Sequence, residues 1–198
     1  MKIYNVSEPI VNSYITLIKA GKRTIKDVPE KFQEEIAAIL DIPLKELTLE
    51  EEKELKIEEL SKMCEQNICD GIDVVLPSDN KTYHYSFTLT DQNNIKTCFD
   101  LAVSTKSATP YHADGEGCRL YSPIDIVTIY AEEQYYITKQ TTFFNYLKQQ
   151  IKSLNAVDEV RKITYKSELT GDFKTGYESI LAYAEVAKDS IKQSYISE

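Results

Sequence analysis

The sequence is short of the residues on which most metal proteins and hydrolases rely. Its four cysteines, at 64, 69, 98 and 118, include no Cys-x-x-Cys pair, and His84 and His112 are its only histidines. Cys64 and Cys69 stand at a spacing that turns them to different faces of a helix, so neither a zinc site nor a disulfide framework is expected. Free cysteines among apolar neighbours behave as small hydrophobes, and a reducing cytoplasm suits them as the place of synthesis. Basic residues are also in deficit: 23 Lys and Arg stand against 32 Asp and Glu, for a net charge of -9. Binding to nucleic acid or to an anionic membrane draws on neutralised phosphates, so this balance disfavours both partners. No uncharged apolar run approaches the roughly 18 residues of a membrane span. The opening MKIYNVSEPI lacks the basic stretch and apolar core of a signal peptide. Neither a span nor export by such a peptide is expected. The G-x-S-x-G elbow, the P-loop, the G-x-G-x-x-G fingerprint and the H-E-x-x-H zinc motif are all missing, and nothing among the acidic residues selects a catalytic pair. No bound cofactor is expected.

What is present is enough for one core, or a core with a helical appendage: 198 residues, 42% of them hydrophobic. Ser7 and Pro9 suit the start of a helix over 8–20, and Gly21 suits its end. In PEKFQEEIAAIL, Phe32, Ile36 and Ile39 or Leu40 recur on one side of a second helix. Residues 1–46 are therefore expected to form a helical arm. Thr48 and Glu51 make a capping box for a long helix with Ile57, Leu60, Cys64 and Ile68 on one stripe and Gly71 as its stop. The acidic run Glu50, Glu51, Glu52 and Glu54 complements the positive helix N-terminus. That front end is expected to be solvated and to act as a spacer between arm and core.

The runs IDVVLP and TYHYSFTL, separated by the turn-rich SDNK, predict a β-hairpin with Tyr83, Tyr85 and Phe87 on the buried face and His84 on the polar one. Thr90 and Asp91 are expected to cap the next helix, whose core stripe is Ile95, Cys98, Phe99 and Ala102. Ser122, with Pro123 and Asp125 behind it, caps another. This one runs on as two helices or one bent one, with Ile126, Tyr130, Ile137, Phe144, Leu147 and Ile151 as core contacts. Its aromatic density reads as packing, since no phosphate cradle accompanies it. A short helix, a break near Gly171 and a final helix over 174–194 follow. Ile180, Tyr183, Ala184 and Ala187 are expected on the apolar side of that last helix, which either docks on the core or pairs with a second copy of the chain. The expected class is α+β: mostly helical, a small antiparallel β-hairpin packed on helices, a core over 47–165 and helical extensions over 1–46 and 166–198.

One stretch invites a chemical reading. In TPYHADGEGCRLYS, residues 109–122, His112, Asp114, Glu116 and Cys118 occupy alternate positions. On an extended strand all four would share a face, but about 6.5 Å would separate neighbours, whereas one ion needs donors within about 2–2.5 Å of a point. The calcium-loop order is absent too. A Cys118–His112 nucleophile pair would require an oxyanion hole and an orienting third group that no motif supplies. The economical reading is structural: Asp114-Gly115 is a strong turn dipeptide, and with Tyr111, Cys118, Leu120 and Tyr121 as hydrophobic anchors around it the stretch reads as a turn or short hairpin tying the preceding helix to the Ser122 cap. Asp114 and Glu116 are then expected to accept from backbone groups, with His112 bridging them.

The order FTLTDQNNIKTCFDLA, PYHADGEGCRLYS, TTFFNYLKQQIKSL resembles a domain of unknown function found in tail-region proteins of phages and prophages of low-GC Gram-positive bacteria. The matching residues are Phe87, Leu89, Thr90, Gln92, Tyr111, His112, Asp114, Gly115, Cys118, Arg119, Asn145 and Leu147, and the likeness covers about residues 50 to 165. The arm segment YITLIKAGKRTIKDVPE is similar to leaders of short tail-module proteins. The resemblance implies a non-enzymatic protein of the tail, baseplate or fibre module, made in the host cytoplasm and bound to other tail proteins, or else a fibre-assembly chaperone absent from the finished particle. It implies that Tyr111, His112, Asp114, Gly115, Cys118 and Arg119 form a structural or interaction turn.

Overall fold

A computed structural model of the chain describes residues 8–42 and 47–196. The expected Ser7 cap and the boundary at residue 46 lie outside the described residues. These carry seven α-helices, one 3-10 turn and four short strands, arranged as two separate antiparallel hairpins. The chain is thus mostly helical α+β, as expected, with a second hairpin where the sequence predicted a turn or a short hairpin.

The chain divides into two compact units, Met1–Glu51 and Glu52–Glu198. In the first, α1 (Glu8–Lys19) and α2 (Glu30–Leu40) enclose a small core of Val11, Ile25, Val28, Ile36 and Ala37. Leu40 packs against that core, whereas Ile39 is exposed, which resolves the two options for this helix. The N-terminus of α3 (Leu49–Asp70) carries the expected capping box: the Glu51 carboxylate accepts from Thr48 N at 2.8 Å, and Glu51 N donates to Thr48 Oγ1 at 3.3 Å.

The front of α3 is solvated only in part: Glu50 and Glu54 are exposed, but the residues between them are not. Lys53 is buried and donates to the Lys152 carbonyl at 3.1 Å. Glu52 takes the Arg161 guanidinium, with Nε at 2.9 Å. The acidic composition that suggested full solvation hid a lysine that satisfies orphan carbonyls at the end of another helix. Further along α3, Leu60 and Cys64 are buried as the stripe requires.

After α3 come β1 (Ile72–Val75) and β2 (Thr82–Tyr85), α4 (Leu89–Thr105), β3 (Thr109–Tyr111) and β4 (Arg119–Tyr121), and then α5 (Pro123–Ser153), one continuous helix. The cap of α4 is Thr88 rather than Thr90: Thr88 Oγ1 donates to Asp91 Oδ2 at 2.6 Å and accepts from Asp91 N at 3.3 Å. Asp91 thus serves a capping box three residues long, which brings Leu89 and Thr90 inside the helix. One core joins both hairpins to α4 and α5 through Val74, Leu76, Tyr85, Phe87, Ile95, Ala102, Tyr111, Tyr121, Ile126 and Ile129.

The extension expected over 166–198 belongs to this same unit. After α6 (Val157–Lys162), α7 (Gly171–Ile196) runs antiparallel along α5: Tyr177 meets the Phe143 ring edge-on at 5.7 Å, and Lys188 sits 4.5 Å from the Tyr135 ring centroid. Lys192 pairs with Glu132 at 2.5 Å. The docking side is therefore the one bearing Tyr177, Ala184, Lys188 and Lys192, not the expected stripe. Ile180, Tyr183 and Ala187 are exposed. That inner side also carries Phe173, Leu181 and Ile191, half-buried at helical spacing, together with lysines that bury their stems and keep their amines for Glu132.

Gly71 stops α3 at a point where no other residue fits. Its φ is +73°, and a Cβ there would overlap the Tyr85 carbonyl oxygen and crowd Ser86 Cα. Here the helix end meets the extension of β2, since Phe87 N donates to the Cys69 carbonyl at 3.1 Å. Gly71→Ala is expected to cost more than about 3 kcal/mol in urea unfolding. A loss below about 1 kcal/mol would show that this approach is not as close as described.

Candidate functional site

The two hairpins come together around the stretch that looked like a ligand set. β1 and β2 pair with Asp73 opposite His84 and Val74 opposite Tyr83, and β3 and β4 pair with Tyr111 opposite Arg119. Strand pairing ends at Tyr111 and resumes at Arg119, so residues 112–118 form a loop, and the alternation there does not place side chains on one strand face. Among the described residues no group of three or more His, Cys, Asp or Glu side chains could hold a metal ion.

Each singled-out residue has a definite place. Tyr111 is buried beside Tyr85 and meets Tyr121 edge-on, with centroids 6.0 Å apart. Tyr85 donates to the Tyr121 hydroxyl at 3.3 Å. Burial pushes the Tyr85 and Tyr111 hydroxyls well above their ordinary range. His112 is exposed and lies flat beside the Tyr111 ring at 5.5 Å. Asp114 ties the loop to β2 in three ways: its Oδ2 accepts from Ser86 N at 2.9 Å and from Ser86 Oγ, and its own N–H donates to the His84 carbonyl at 3.0 Å. Gly115 takes φ +72° at the turn, a conformation that favours glycine. Glu116, Cys118 and Leu120 are exposed, so Cys118 and Leu120 are not the anchors expected, and His112 stacks on Tyr111 instead of bridging Asp114 and Glu116.

Arg119 links the hairpins electrostatically. Its guanidinium lies between the Tyr83 ring at 4.5 Å and the Tyr121 ring at 4.6 Å, with Asp79 at 3.7 Å. Asp79 is in turn held by the Tyr83 hydroxyl at 2.7 Å, which keeps its carboxyl below the usual range. A guanidinium between two aromatic faces gains from both ring quadrupoles.

Ser86, Asp114 and His84 supply the residue types of a hydrolase triad but not its order. The carboxylate, not the imidazole, contacts the hydroxyl, and the His84 ring nitrogens are turned to Asp73 and the Asp70 carbonyl, each at 2.8 Å. A serine nucleophile needs the imidazole as its base, and this arrangement offers none. Burial raises the Cys98 thiol, with Cys118 as a lesser cause, so this thiol is not activated for attack either.

Two polar residues of the second unit, Gln150 and Glu133, escaped sequence reasoning, and a third, Asp125, was read only in part. Asp125 caps α5 through Ser122 Oγ at 2.6 Å, and its other oxygen accepts from Ser78 N at 3.0 Å in the β1–β2 turn. Its capping role was legible; the second bond, across 47 residues, was not. Gln150 is buried on α5 and joins Thr170 N at 2.8 Å and the Glu168 carbonyl at 3.1 Å. Glu133 is fully buried on α5, and its Oε1 has no hydrogen-bond partner.

Clefts are shallow in chemistry. One of about 360 Å³ lies between α3, α4 and α5, with Ile68, Leu89, Ile137 and Phe144 among its walls and Cys64 and Gln92 among its polar groups. No arrangement of charges there prescribes a cofactor. No protein-family model, curated protein or solved structure matches the chain.

Burial pushes the Glu133 carboxyl from 4.5 up to about 7. Between those pH values the folded protein holds a proton that the unfolded chain has released, so stability falls as pH rises through this window and levels off above it. The shift corresponds to roughly 3 kcal/mol. Glu133→Gln should remove that fall, leaving the variant about 3 kcal/mol more stable than the parent at pH 8 and close to it at pH 4.5. Urea midpoints at the two pH values check this, and an identical pH dependence in both proteins would contradict it.

Proposed function

We propose that the protein is a non-enzymatic structural component of a phage or phage-tail-like particle, docked to tail, baseplate or fibre proteins. The observation that carries the docking part is the outer side of α7. Ile180, Tyr183 and Val186 are 43%, 75% and 65% exposed there, at helical spacing, while the opposite side is engaged with α5. An exposed apolar ridge on a helix already anchored to its core suits a protein partner. The likeness of residues 50–165 to tail-region proteins supplies the particle context. Asp114 of the 112–118 loop and Arg119 of β4 support a non-enzymatic reading, because both are engaged in ties between hairpins.

Quantitative mass spectrometry of purified particles tests this reading. The chain should be present at a fixed stoichiometric copy number. A Tyr183→Glu/Val186→Glu variant should keep its unfolding free energy to within about 1 kcal/mol, yet be depleted from particles at least tenfold. Abundance in lysates with absence from particles would instead indicate an assembly chaperone. Undiminished incorporation of the variant would remove the ridge from the proposal, and a dimer broken by the same changes would make a second copy its partner.

A further inference from the structure

His84 stands on the polar face of β2 with both ring nitrogens against acceptors. Nδ1 is 2.8 Å from Asp73 Oδ1 on β1, and Nε2 is 2.8 Å from the carbonyl of Asp70, the last residue of α3. Neither a carboxylate nor a carbonyl can donate. Both bonds therefore exist together only when each nitrogen carries a proton, in the imidazolium form. That cation also sits where the last carbonyls of α3 concentrate partial negative charge.

The charged groups facing the ring from the surrounding elements are acidic. Asp73 comes from β1, and Asp114 from the β3–β4 loop lies 3.9 Å from Nε2. Asp70 offers its carbonyl, while its carboxylate takes the Gln66 amide at 2.5 Å. Asp114 is also the anchor that fastens the loop to Ser86 and to the His84 carbonyl. The charge on one ring thus bears on three elements at once.

We propose that His84 is a pH-sensitive latch, which as an imidazolium clamps the end of α3, β1 and the β3–β4 loop together and on losing its proton loosens that loop with its exposed tip, Gly115–Cys118. The neutral ring keeps one N–H, so one of the two 2.8 Å contacts becomes lone pair against lone pair. Asp73 and Asp114 are then left without the positive charge between them. Tyr111 and Tyr121 stay buried, so the loop loosens on its strands and the hairpin does not unfold.

The hydrogen bond to Asp73, then that to the Asp70 carbonyl, raises His84 above the ordinary 6.5. The clamp is accordingly complete below about pH 6.5 and is lost as pH rises through the folded-state value. Solvent reaches 45% of the ring, which screens the ion pairs and keeps the effect local. The inference is independent of the docking role.

An NMR titration of both histidines tests it, with His112 as the second, exposed ring. Amide exchange of Ser86 and Asp114, corrected for base catalysis, is followed in parallel. His84 should titrate above 6.5 in the parent and lower in Asp73→Asn. Protection at the two amides should fall severalfold across the His84 titration in the parent and stay level in His84→Gln. A His84 value at or below 6.5, or the same fall in His84→Gln, would overturn the latch. Should His84→Gln fail to fold, Asp73→Asn decides alone, because Asp73 is 70% exposed; an unmoved His84 titration there would equally overturn it.

Discussion

A two-stranded hairpin is marginal on its own in water, and this chain has two. Each is stabilised by the other and by the helices beneath. Tyr85 from one and Tyr111 and Tyr121 from the other share a buried cluster over Ile95 of α4 and Ile126 of α5. Above that apolar contact, Asp114 reaches Ser86, and Arg119 lies against Tyr83. The stretch with a ligand-like alternation is the joint between hairpins, and Asp114 is the one of its four alternating residues that fastens it.

The joint rests on α5. Its N-terminal Asp125 satisfies both its own helix end and the β1–β2 turn, so the helix and the first hairpin are positioned together. Further along, α7 packs on the same helix through Tyr177, Lys188 and Lys192. Holding α7 by one side is what turns Ile180, Tyr183 and Val186 outward. Glu133, buried between these contacts in sequence, is a destabilising feature of α5 at neutral pH, and its Oε1 has no hydrogen-bond partner among the described residues.

Local chemistry was legible in the sequence and long-range pairing was not. The capping boxes at Thr48 and Ser122 could be read because donor and acceptor lie three residues apart. At α4 two threonines competed for Asp91, and Thr88 won because only it sits at capping-box spacing. The aromatic face of β2 followed from alternation. The same rule does not apply at residues 112–118, which form a loop as the Asp114-Gly115 turn signal suggested. On α7 two apolar stripes compete, Phe173, Tyr177, Leu181, Ala184 and Ile191 on one side and Ile180, Tyr183 and Ala187 on the other, and packing against α5 decides which is covered. The ties of Lys53 to Lys152 and of Asp114 to Ser86 join residues 99 and 28 positions apart, and no periodicity records them.

The most direct test of the joint is a double-mutant cycle between Ser86 and Asp114, measured by urea unfolding. Asp114→Ala should cost about 2 kcal/mol, as a carboxylate with several backbone and hydroxyl donors does. Its coupling to Ser86→Ala should reach about 1 kcal/mol. An Asp114→Ala variant as stable as the parent, with coupling below about 0.3 kcal/mol, would mean that the loop is not fastened there and that its alternating His, Asp, Glu and Cys need another explanation.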